Sequence, residues 1–125
     1  MKKILSCLVA VAFLYSGIAA ADDYREVWQC KVKDGKTLED VQAVNSKWLK
    51  WMHENVDKKV SSAVLTTVVG DLTGFIFVDS YPSLDAWSKG KGAQDGNEEM
   101  DALDAEFNSV SDCSDNRLWR HRPTS

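Results

Sequence analysis

From Tyr24 to Val32 the chain alternates, with Tyr24, Glu26, Trp28, Cys30 and Val32 on one side and Arg25, Val27, Gln29 and Lys31 on the other. A period of two predicts a half-buried β-strand. Asp34-Gly35 then supplies a turn, and Thr37-Leu38-Glu39-Asp40 has the form of a capping box, with a hydroxyl for orphan amides and an acid following on the same turn. A helix is expected from about Leu38 to a point between Asn55 and Lys58. Its apolar residues Leu38, Val41, Val44, Trp48, Met52 and Val56 recur at helical spacing on one face.

The β-branched run Ser62 to Val69 stops at Gly70-Asp71, and Gly74 to Tyr81 follows it, which predicts a hairpin of two further strands. Pro82-Ser83 offers a helix start, with Ser83 as cap and Leu84 and Trp87 as the first buried positions. Gly90, Gly92 and Gly96 predict that Lys89 to Asn97 is a mobile loop interrupting this helix. Helical spacing resumes with Met100, Leu103, Phe107 and Val110, and Asn116 to Arg122 reads as a fourth strand ended by Pro123.

The expected order is β-α-β-β-α-β, an α+β ferredoxin-like unit. Right-handed crossovers give a four-stranded antiparallel sheet ordered 4-1-3-2, with two helices on one face. Phe75-Ile76-Phe77-Val78 is apolar on both faces, as are Ala63-Val64-Leu65 and Val68-Val69. Helices cover only one face of such a sheet, so a second molecule or a ligand is expected on the other.

Composition adds an address. Lys2 and Lys3 precede an apolar run from Ile4 to Ala21 that ends in Ala19-Ala20-Ala21, the form of a cleaved signal peptide over residues 1–21. The remainder, residues 22–125, suits one domain that is secreted or periplasmic, with no membrane association after cleavage. Its thiols are then Cys30 and Cys113, which an oxidising compartment joins as a disulfide; in the expected sheet they fall near the adjoining ends of strands one and four. Removing Lys2 and Lys3 takes the formal charge from −4 to −6. That balance argues against nucleic acid as a partner. The acids concentrate between Asp95 and Asp115, before Arg117, Arg120 and Arg122, so an acidic second helix precedes a basic strand.

The strand Gly74 to Tyr81 leading into Pro82-Ser83-Leu84-Asp85-Ala86-Trp87, together with the two-faced apolar strands, resembles the dimeric α/β-barrel superfamily over about Tyr24 to Arg122. The resemblance implies two ferredoxin-like units packed sheet to sheet as a homodimer. It also implies a choice among cofactor-independent monooxygenases, haem-binding or haem-degrading proteins and small proteins without assigned activity. Haem-degrading members resemble one another in an iron-ligating histidine on the second helix. The region Ser83 to Val110 has Trp87 but no histidine, so no haem site is carried over and no cofactor is expected.

Candidate chemistry is sparse. Asn45 falls between Val41 and Met52 near the middle of the first helix's apolar face, where an amide needs a partner: local backbone, or a ligand for which it is the polar anchor. His53 lies at the edge of the same stripe, beside Leu49, as a surface histidine or an acid-base group. Trp28, Trp48, Trp51, Trp87 and Trp119 serve a core, a dimer interface or an aromatic-lined cavity. Gly90-Lys91-Gly92 lacks phosphate-loop spacing, the distant cysteines lack zinc spacing, and no serine sits in a nucleophile elbow. The expectation is a small-molecule-binding protein for an apolar or aromatic ligand, with Asn45, Trp48, His53 and Trp87 at the pocket and no assigned catalytic residue. The alternatives are a cofactor-independent monooxygenase-like enzyme, with Asn45, Trp48 and His53 foremost, and a protein-binding module using the acidic second helix.

Overall fold

A computed structural model describes residues 22–125. The signal-peptide reading of residues 1–21 lies outside the described residues. The elements run β1 (Asp23–Val32), α1 (Leu38–Asn55), β2 (Ser61–Thr66), β3 (Gly74–Tyr81), α2 (Leu84–Gln94), α3 (Glu98–Val110) and β4 (Ser111–His121). The sheet is antiparallel in the order β2-β3-β1-β4, which is the expected 4-1-3-2 read from its other edge. The capping box of α1 forms as read, with the Thr37 hydroxyl accepting from the Asp40 amide and the Asp40 carboxylate accepting from the Thr37 amide.

Three expected boundaries move. The second helical region is two helices, and α2 continues through Gly90 and Gly92 instead of breaking into a loop at Lys89. Gly90 is buried against α1 and β3, where an added Cβ would lie 3.0 Å from Met52 Cε and 3.4 Å from Tyr81 Cε1. Close packing selects glycine there and outweighs its poor helix propensity of about 1 kcal/mol. The chain turns only at Asp95–Asn97, with Gly96 at φ +67° and the Asn97 side chain capping α3.

The second change is at β2, which ends at Thr66 because that residue pairs with Phe75 and β3 begins just before it. Val68, Val69 and Leu72 instead lie exposed on the hairpin loop, where Asp71 Oδ1 accepts from the Thr73 amide and hydroxyl. Third, β4 starts at Ser111, five residues before the expected Asn116, since its pairing with β1 continues past a register shift at Ser114 as far as Val32↔Ser111. Cys113 is therefore inside β4, directly opposite Cys30 with Cα atoms 4.0 Å apart, and the disulfide joins the two strands. Closing a loop of this length is worth about 4.5 kcal/mol in the chain-entropy model.

All three helices cover one sheet face. Trp48, Trp51, Met52, Tyr81, Met100 and Leu103 form one buried cluster, and Cys30, Val41, Val44, Phe75, Phe77 and Val110 form another. Phe107 packs against both. On the opposite face Val27, Ile76 and Val78 are half-buried, while Leu65 and Trp119 are 47% and 52% exposed. No helix among the described residues is long and apolar enough to cross a membrane.

Candidate functional site

The strand parity that buries Phe75, Phe77 and Tyr81 also turns Asp79 inward, because all four lie on one side of β3. Its register partner on β1 is Glu26, which faces the same side, so two carboxyl groups meet beneath the helices. Burying such groups is costly unless each finds partners. Glu26, 3% exposed, has three: Lys91 Nζ at 2.7 Å, Asn116 Nδ2 at 2.8 Å and Trp87 Nε1 at 3.3 Å. Among the described residues Asp79 has one, the Ser62 hydroxyl, which donates to Oδ1 at 2.6 Å. Burial, reinforced by the nearby Glu26 charge, pushes the Asp79 carboxyl up to about 7, against the opposing effects of Ser62 and Lys91.

Asp79 opens onto a cavity of about 300 Å³ between the sheet and the helices, bordering both core clusters. Its apolar walls are Trp28, Trp48, Phe77 and Phe107, the last two meeting edge-on at 5.6 Å. Polar groups enter from every side: Asn45 from α1, Lys91 and Gln94 from α2, Asp104 and Asn108 from α3, and Ser111 from β4. Burial also raises the Asp104 carboxyl, with help from Asp101. Tyr81 follows on the same side of β3 with its hydroxyl buried and without a partner among the described residues, and burial beside two carboxyl groups raises that phenol strongly. The α2 continuation matters here, since the last turn of that helix delivers Lys91 to Glu26 and Gln94 to the Trp48 indole, whose Nε1 donates to Gln94 Oε1 at 3.2 Å.

Two of the four sequence candidates come to the cavity together. Trp48 forms part of its wall, and Asn45 borders it while donating from Nδ2 to Ser62 Oγ at 2.9 Å, so Asn45, Ser62 and Asp79 form one hydrogen-bonded line. The partner of Asn45 is thus a side chain on β2, not local backbone. Trp87 stands behind the site, bonded to Glu26. His53 is not at the cavity: its Nε2 bonds the Val60 carbonyl at 2.6 Å and ties the end of α1 to the approach to β2. Glu26, Asp79 and Lys91 were missed by sequence reasoning. Parity carried the missing signal, because a carboxylate in step with Phe75, Phe77 and Tyr81 must face the core. On the acidic third helix, Glu106 pairs with Lys47 at 2.7 Å, while Glu98, Glu99 and Asp101 stay exposed. Among the described residues no group of three or more His, Cys, Asp and Glu is arranged to hold a metal ion.

No protein-family model matches the chain, and no curated protein matches it either. Solved structures do. SnoaB, a cofactor-independent oxygenase from Streptomyces nogalater, is 12% identical with a TM-score of 0.59, and the match covers 83% of this chain and 97% of that one. A NIPSNAP family protein from Agrobacterium tumefaciens is 18% identical with a TM-score of 0.61, covering 84% and 90% respectively. A NIPSNAP domain protein from Burkholderia xenovorans is 12% identical with a TM-score of 0.57, covering 82% and 95%. At these identities the likeness is one of fold. The chain has a ferredoxin-like fold, as its element and strand order implied.

Proposed function

We propose that this chain is a secreted or periplasmic protein that binds a small molecule with an apolar or aromatic body in the cavity between its sheet and helices. The observation that carries this reading is the cavity of about 300 Å³ whose aromatic walls converge on a nearly buried carboxyl group. Ligand sites commonly combine apolar walls with a few convergent polar groups and a perturbed titration. The disulfide supports an oxidising, non-cytoplasmic location. The open sheet face, with Val27, Ile76 and Val78 at its centre, supports a homodimer packed sheet to sheet.

Indole N–H resonances report the cavity directly, since Trp28 and Trp48 line it while Trp51 lies outside. Titration with a panel of small aromatic compounds should shift the Trp28 and Trp48 signals and leave Trp51 in place. Equal small shifts at every indole, or none, would contradict the site.

A second reading has its own observation. Asp79, held near neutrality beside a bound molecule, is suited to accept a proton from it, the step a general base supplies. Reaction of the deprotonated molecule with oxygen would place the chain beside SnoaB in activity as well as fold. Oxygen uptake that depends on Asp79 supports this reading, and uptake unchanged in Asp79→Asn removes it.

A further inference from the structure

We propose that the cavity takes an organic cation: a small amine whose apolar or aromatic body lies against Trp28, Trp48 and Phe107 and whose charged head meets Asp79. The inference rests on the ligand-binding reading above and names the class of ligand. Charge is its first ground. The charged residues lining the cavity are Asp79, Lys91 and Asp104. Lys91 is already committed to Glu26 at 2.7 Å, and that buried carboxylate is further held by Asn116 and Trp87. What remains for a ligand is two carboxyl groups and no unpaired cation among the described residues lining the cavity.

The second ground is Asp79 itself. It is 7% exposed, only Oδ1 is hydrogen-bonded among the described residues, and the side chain faces the cavity. A ligand donor can reach Oδ2 there without displacing Ser62. The third ground is a precedent within the site: the Lys91 ammonium sits 5.7 Å from the Trp28 ring centroid while paired to a carboxylate. A ligand ammonium between Asp79 and the rings of Trp48 or Phe107 would repeat that arrangement. An anionic ligand meets the opposite situation, with two acids and no free partner.

The test uses three probes of one shape: phenethylamine, phenethyl alcohol and hydrocinnamate, which are cationic, neutral and anionic near neutral pH. Calorimetric titration of the disulfide-bonded protein should give the amine an affinity on the order of tenfold above the alcohol, with hydrocinnamate weakest. In Asp79→Asn the ratio of amine to alcohol should fall to about one, and in Asp104→Asn, at the rim, it should fall by less. An alcohol that binds as well as the amine overturns the inference and leaves the apolar-ligand reading standing. So does hydrocinnamate binding tightest, or a preference that survives Asp79→Asn. Failure of all three probes to bind counts against both.

Discussion

Replacing Asp79 with asparagine should make the protein more stable, and increasingly so as pH rises from about 4 to about 7. Burial, which disfavours the charged form, and the facing Glu26 on β1 push the carboxyl from its ordinary 3.8 up to about 7 in the fold; Ser62 on β2 and Lys91 on α2 act the other way. Asp104 on α3 lines the same cavity, Tyr81 follows on the same side of β3, and α1 contributes only the uncharged Asn45 and Trp48. The folded protein therefore binds the Asp79 proton more tightly than the unfolded chain does. The resulting stabilisation is complete below the unfolded value and is lost as pH rises through about 7. A difference of roughly three pH units at about 1.4 kcal/mol each gives up to about 4 kcal/mol. Asparagine keeps a carbonyl to accept from Ser62 and never acquires the buried charge. Urea unfolding of the two proteins should give equal stabilities near pH 4, a gap that widens through pH 5 and 6, and a variant more stable by up to about 4 kcal/mol near pH 8. A gap of constant size across that range, or a variant less stable near pH 8, would refute the reasoning.

Other outcomes follow from single contacts. Tyr81→Phe removes a buried hydroxyl that has no partner among the described residues, so it should leave stability unchanged or raise it by about 1 kcal/mol in thermal unfolding. Replacing Cys30 and Cys113 together by alanine should lower stability by up to about 4.5 kcal/mol, because the bond closes a loop spanning most of the described chain; denaturant unfolding with and without reductant measures it. Val78→Asp places a charge at the centre of the open sheet face, opposite Val27 and Ala63; if the proposed homodimer forms through that face, the variant should sediment as a monomer where the parent sediments as a dimer, without loss of secondary structure.

The sheet was legible because strand parity and element order are local signals that the tertiary structure reinforced. Gly74 to Tyr81 alternates inward and outward as read, and Cys30 and Cys113 meet across the strands that the topology makes neighbours. Gly90 misled because its propensity argues for a loop, whereas its packing against Met52 and Tyr81 is invisible until α1 and α2 are docked. The serines and acids from Ser111 to Asp115 likewise have poor strand propensity, overridden by pairing with β1. At the site, Asn45 drew notice for being polar on an apolar face, and the same criterion applied to strands would have found Asp79 and Glu26. His53 was drawn in by its chemistry, but its ring is spent on the Val60 carbonyl.

The proposed function turns on a carboxyl group kept near neutrality at the wall of the cavity. Carbon-detected NMR titration of the Asp79 carboxyl measures it without any ligand or activity. The expected midpoint is about 7, moving toward the ordinary value when phenethylamine is bound. A midpoint near 4 in the free protein would contradict the burial, the poise and the role assigned to Asp79 together.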